Sequence, residues 1–156
     1  MIEVTKTMTT ETAHRLMDYV GKCAGIHGHS YLWEVTARRE DGRVASNGIA
    51  IDFADLKAGM RQCIYDTFDH ALVLSEKDSL VNLEAMAYDA AGNKQKVVSF
   101  YSNPTAEHFA IWAAKELQKF CDKKGSAVYG AAFHILITRV RVWETANSHA
   151  EWNRSP

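Results

Sequence analysis

The residues best able to do chemistry cluster in one stretch, Cys23-Ala24-Gly25-Ile26-His27-Gly28-His29. His27 and His29 stand two apart. Residues at that spacing in a β-strand point to one face, and two imidazole nitrogens on one face make half of a zinc site. His14, at the end of an earlier strand-like run, is the candidate third ligand. Three histidines and one open position describe a catalytic Zn²⁺ rather than a structural one. The plainer alternative makes His27 and His29 half-buried sheet residues. Strand pairing decides between the two, because an antiparallel pair brings the ends carrying His14 and His27 together.

Cys23, four residues before His27, can fold back toward a metal without ligating it. It lies in a glycine-containing loop, not on an apolar face, and near a cation its thiolate would be a base usable at neutral pH. A small buried hydrophobe is the other reading, and that is the one Cys63 and Cys121 receive on their helix stripes. Asp69-His70 could be an acid–base pair in which the carboxylate fixes the imidazole tautomer. On spacing alone, a histidine compensating a helix C-terminus explains it better. Glu144 ends an otherwise apolar strand. It is either at the solvent end or a buried acceptor, and two carboxylate oxygens suit a guanidine-like edge such as the N2–N3 side of a pterin. His108, His134 and His149 read as structural or surface residues.

The elements that must position these groups follow from periodicity. Ile2 to His14 alternates and is rich in threonine, which predicts a first strand. Met17 to Ile26 is a loop. His29 to Arg39 alternates again and predicts a second strand, with Asp41-Gly42 as a turn. Asp52 caps a helix whose stripe is Phe53, Leu56, Met60, Cys63, Ile64 and Phe68, fraying near Asp66. Leu80 to Tyr88 has a weak helical pattern, Ala91-Gly92-Asn93 a turn, and Val97 to Tyr101 a short strand. Asn103 caps a second helix, with Pro104 at its first position, Glu107 in its first turn and Gly125 as its stop. Phe109, Trp112, Ala113, Leu117, Phe120 and Cys121 form its buried stripe. Ala131 to Glu144 and about Ser148 to Trp152 are the last strands. Two strands, two helices and two strands make an α+β layout.

The chain has 156 residues, enough for one domain, residues 1–156, with a real core. Hydrophobic content of 47% and charged content of 24% are those of an ordinary soluble protein. A net charge of -1 argues against a nucleic-acid or membrane surface. No apolar run approaches the roughly 20 residues of a membrane-spanning helix. The N-terminus shows no basic region followed by an apolar core, and the three cysteines follow no disulfide spacing, so the expectation is a reduced, cytoplasmic protein.

Taken together, six segments resemble one family. Thr12-Ala13-His14-Arg15-Leu16, Cys23-x-x-x-His27-Gly28-His29, Ile51-Asp52-Phe53-x-x-Leu56-Lys57, Asp69-His70, Asn103-Pro104-Thr105-x-Glu107 and Trp143-Glu144-Thr145 are similar, in order, to the 6-pyruvoyltetrahydropterin synthase / 6-carboxytetrahydropterin synthase superfamily. The resemblance implies a tunnelling fold, an antiparallel sheet of two β-hairpins framing two helices on one face. Subunits of such a fold join their sheets into a β-barrel with active sites at the interfaces, and the expected partner is self, as a homo-hexamer. It also implies Zn²⁺ on His14, His27 and His29, Cys23 as general base, the Asp69–His70 pair as proton shuttle, Glu144 as pterin anchor, and Thr105 and Glu107 closing the pterin pocket.

Within the superfamily, Cys-x-x-x-His-Gly-His resembles the bacterial carboxy-forming enzymes; the animal-type pyruvoyl synthases carry a longer gap. One departure is the long Ser75–Ser102 segment, which the shortest bacterial members lack. The implied reaction converts 7,8-dihydroneopterin triphosphate to 6-carboxy-5,6,7,8-tetrahydropterin, acetaldehyde and triphosphate, a step of queuosine and 7-deazaguanine biosynthesis. The competing readings are a 6-pyruvoyltetrahydropterin synthase, which eliminates triphosphate and keeps the side chain, and a non-catalytic zinc- or pterin-binding module.

Overall fold

β1 (Val4–His14) and β2 (His27–Arg39) form an antiparallel pair at the centre of the sheet. Their alternation sorts side chains cleanly between two faces. Thr10, Thr12 and His14 are buried on β1, and Tyr31, Trp33, Val35 and Ala37 on β2; Glu11 and Ser30 face the other way and are exposed. The register sets His14 opposite His27 and Thr12 opposite His29. β2 begins at His27, so both histidines of the His-Gly-His unit lie inside the strand. A turn closed by Gly42, at φ 66, follows Arg39 as the Asp41-Gly42 signal predicted.

The computed structural model describes residues 1–81, 92, 94–128 and 134–155. The helical pattern expected over Leu80 to Tyr88 lies outside them from residue 82 on. So do two of the three residues of the Ala91-Gly92-Asn93 turn and the first three of the strand expected from Ala131.

β5 (Ile135–Thr145) and β6 (Ser148–Asn153) form the second hairpin, with β5 antiparallel to β2. The sheet is nevertheless not purely antiparallel. β3 (Ala71–Ser75) runs parallel to β1, and β4 (Val97–Phe100) parallel to β3, giving six strands in the order β4-β3-β1-β2-β5-β6. The run Ala71-Leu72-Val73-Leu74, which follows the helix and is assigned to no element by the sequence pattern, is therefore a strand. Its near-continuous burial suits a parallel position between two other strands. The helical connection after β2 supplies the crossover that a parallel return requires.

That connection opens with α1 (Phe53–Met60), where Asp52 caps as expected, its Oδ1 accepting from the Ala54 N–H at 2.7 Å. The helix does not fray near Asp66. A π-turn over Arg61–Tyr65 carries it into α2 (Asp66–Phe68). Leu56, Met60, Ile64 and Phe68, each four apart, are its buried stripe. Steps of four drift around a helix of about 3.6 residues per turn, and the wider π-turn takes back part of the drift. Phe53, expected on that stripe, is 54% exposed.

α3 (Ala106–Val128) starts later than the sequence suggests. Thr105 takes the cap position: its carbonyl accepts from the Phe109 N–H at 2.9 Å and its Oγ1 from the His108 N–H at 3.4 Å. Asn103 and Pro104 precede the helix. Gly125 does not stop it, because a single glycine costs only about 1 kcal/mol against alanine in a helix. Phe109, Ala113, Leu117 and Cys121 face the sheet and are buried. Trp33 stacks on Phe68 with centroids 5.3 Å apart, and Phe109 sits 4.9 Å from Phe68 and 5.5 Å from Tyr31. Among the described residues no helix is long and apolar enough to cross a membrane.

Candidate metal centre

The β1–β2 register brings the imidazoles of His14, His27 and His29 together beneath the start of α3, one nitrogen from each lying within 4.8 Å of the others. His14 is 1% exposed, and the other two are half-buried. Two backbone carbonyls set the tautomers. His14 Nδ1 donates to the Pro104 carbonyl at 2.7 Å, and His27 Nδ1 to the Gly25 carbonyl at 2.8 Å. Their Nε2 atoms, 3.1 Å apart, therefore both carry lone pairs. Two lone pairs at that distance repel unless a cation lies between them. His29 Nε2 is buried without a hydrogen-bond partner. Glu144 Oε1 lies 3.5 Å from it without making a hydrogen bond. Converging lone pairs and an orphaned ring nitrogen fit a metal ion. Burial pushes the His14 pKa down, against the Pro104 carbonyl and the Glu144 carboxylate, and so favours the neutral imidazole that a metal needs.

Tyr31 and Glu144 adjoin this cluster. The Tyr31 hydroxyl lies 3.2 Å from His14 Nε2 and donates to Glu144 Oε2 at 3.3 Å. Its pKa is raised, first by burial and then by the Glu144 carboxylate, with Cys23 and Glu107 contributing less. Those three groups thus sit near one phenol. Tyr31 thus adjoins the candidate site although the sequence does not single it out; the period-two rule that groups His27 with His29 reaches it two residues on. Cys23 is half-buried in a single 3₁₀ turn (Lys22–Ala24). Thr105 caps α3, and Glu107 is exposed in its first turn.

Asp69 and His70 form the expected pair, His70 Nδ1 donating to Asp69 Oδ2 at 2.8 Å. Asp69 also accepts from the Glu11 N–H at 3.0 Å. Partial burial pushes its carboxyl up, but the Glu11 N–H, His70 and Tyr65 outweigh it and hold the pKa below the usual range. His70 adopts a left-handed conformation, φ 53. The pair does not join the histidine cluster: among the described residues no hydrogen bond, ion pair or ring contact links it to His14, His27 or His29. Its ring borders a cavity of about 630 Å³ together with Glu11, Ala13, Gly28, His29 and Ser30, mostly residues of the sheet face turned away from the helices. A second cavity, about 670 Å³, lies beside Glu144 and also borders His29. Of the histidines read as structural, His108 bonds the Asn103 carbonyl at 3.1 Å and His149 packs on Trp143 with centroids 4.1 Å apart.

Residues 3–155 match the sequence profile of the 6-pyruvoyl tetrahydropterin synthase family. The chain belongs to that family. It is 28% identical over 153 residues to a 6-carboxy-5,6,7,8-tetrahydropterin synthase of Rickettsia typhi, covering 97% of this chain and 99% of the relative. An uncharacterized protein of Wolinella succinogenes superposes with a TM-score of 0.77 at 18% identity, covering 99% and 98% of the two chains. The 6-pyruvoyl tetrahydropterin synthase of Caenorhabditis elegans superposes with a TM-score of 0.67 at 23% identity, covering 99% and 96%. These superpositions identify the tunnelling fold, an α+β architecture. In this chain the parallel strands β3 and β4 extend the sheet beyond its two hairpins.

Proposed function

We propose that the chain is a zinc-dependent 6-carboxy-5,6,7,8-tetrahydropterin synthase. The observation that carries this reading is the convergence of three metal-competent imidazoles with the Glu144 carboxylate, and family membership sets the substrate class. The reaction takes 7,8-dihydroneopterin triphosphate and one water to 6-carboxytetrahydropterin, acetaldehyde and triphosphate. Zinc, held by His14, His27 and His29, would acidify a substrate hydroxyl at its open position.

The chain's own groups do the rest. Glu144 accepts from the N–H groups on the N2–N3 edge of the pterin and fixes the ring. Tyr31 holds one carboxylate oxygen for that task. Cys23 takes a proton from the side-chain carbon beside the acidified hydroxyl. Asp69 keeps the proton of His70 on Nδ1, leaving Nε2 to exchange protons with substrate. The His70 side chain is 79% exposed in the single chain, which supports work at a face completed by another copy, in a homo-hexamer. Thr105 and Glu107 close the pocket from the start of α3.

The second reading, a 6-pyruvoyltetrahydropterin synthase, is favoured by the activity for which the family is named. It differs in keeping all three side-chain carbons as a diketone. Acetaldehyde decides between them. An assay coupling alcohol dehydrogenase to NADH oxidation should show acetaldehyde matching triphosphate one to one. Triphosphate without acetaldehyde, with a three-carbon chain left at C6, would transfer the assignment to the pyruvoyl synthase.

A further inference from the structure

We propose that Asn103 is the positioning residue for Cys23, anchoring the thiol's loop to the segment that also orients the first metal ligand. The proposal rests on the assignment of Cys23 as proton acceptor made above.

The Asn103 amide is used from both ends. Its Oδ1 accepts from the Met17 N–H at 2.9 Å, and its Nδ2 donates to the Met17 carbonyl at 3.0 Å. The adjacent Leu16 N–H donates to the Cys23 carbonyl at 2.8 Å, so the constraint reaches the thiol residue in two steps. The remaining main-chain bonds inside the loop are local, Ala24 to Gly21 and Gly25 to Lys22, both at 3.1 Å. They shape the turn around Cys23 without tying it to the body of the fold.

Asn103 is itself held. Its carbonyl accepts from the Thr105 N–H at 2.9 Å and from His108 Nδ1 at 3.1 Å. The next carbonyl, that of Pro104, accepts from His14 Nδ1. Two consecutive residues just before α3 therefore set the thiol loop and the His14 imidazole relative to each other. Asn103 is free for this because Thr105 does the capping. Proton transfer is sensitive to displacements of about an ångström, and a glycine-containing surface loop would not hold the thiol that closely without the anchor.

The test uses Asn103→Ala and Asn103→Asp in the full chain; the aspartate keeps the acceptor for Met17 and loses the donor. Bound zinc should be unchanged and KM nearly so, while kcat falls by ~10-fold in the alanine variant and less in the aspartate. Amide hydrogen exchange should speed up across residues 15–26 and not along α3. In a Cys23→Ala background, Asn103→Ala should cost nothing more, since two residues acting as one unit are not additive. Losses that multiply would make Asn103 act independently of Cys23 and overturn the proposal. Unchanged exchange over 15–26 would remove the anchor, and exchange spreading along α3 would make the role generally structural. Normal turnover by Cys23→Ala alone would sink the underlying assignment, and that result needs no Asn103 variant.

Discussion

His14, His27 and His29 share one preparation for a cation. Two have Nδ1 committed to backbone carbonyls, and the third keeps a buried nitrogen without a partner. Among the described residues the free Cys23 thiol has no such commitment, and this separates the two roles experimentally. His27→Ala should remove most of about one zinc per chain, because a structural or catalytic site rarely survives with two protein ligands. Cys23→Ala should keep the zinc and the affinity for an unreactive pterin and lose at least ~10²-fold in turnover, the low end for a missing general base. Elemental analysis beside steady-state kinetics reads both. Zinc lost from the cysteine variant would make Cys23 a ligand, and full zinc in the histidine variant would move the site elsewhere.

At the scale of elements, the end of β1 is fastened to the turn after β3 by one buried ion pair. Arg15 donates to both oxygens of Asp78 at 2.7 Å, and the Asp78 side chain is 0% exposed. Asp78 Oδ1 also accepts from the Leu80 N–H at 2.9 Å, which orders the start of the segment that follows. The Arg15 guanidinium, with the Leu80 N–H assisting, holds the Asp78 carboxyl below its ordinary 3.8 despite burial. A pKa lower in the folded state means stability fully present above the ordinary value and lost as pH falls through the folded one. Asp78→Asn should therefore lower stability at neutral pH by about 2 kcal/mol, the scale of hydrogen bonds to a charged group. The gap to the parent should narrow only below pH 3.8. Urea unfolding at several pH values checks this, and a gap that stays constant down to pH 2 would show that the pair's charge contributes nothing.

At the scale of the molecule, the sheet order ends at β4 on one side and β6 on the other. A strand at a sheet edge presents unpaired backbone groups that another chain can pair with. The exposed His70 and the cavity beneath it lie on the sheet face that the helices leave uncovered. Both features fit a barrel assembled from several copies, and the expected solution species is a hexamer. Light scattering at micromolar concentration should return six chain masses; a clean monomer would contradict it.

What the sequence by itself determined is what period and local chemistry carry. The two-residue spacing of His27 and His29, the alternation of β1 and β2 and the Asp52 cap were all legible, because each depends on neighbours a few residues away. Family motifs spread along the chain made the fold legible as well. Other features were decided only by tertiary structure. Asn103 looks like a helix cap in any local reading, yet its partner is Met17, 86 residues away, and Thr105 caps instead. The Pro104 carbonyl that orients His14 lies 90 residues from it. The apolar run after Asp69-His70 became a strand because β1 offered it an open edge, and that edge exists only once β1 and β2 have paired. His70 came to border a cavity mostly on the other face of the sheet for a related reason. Which face a residue reaches after a crossover is fixed by where the chain re-enters the sheet, and no periodicity within the residues themselves encodes it.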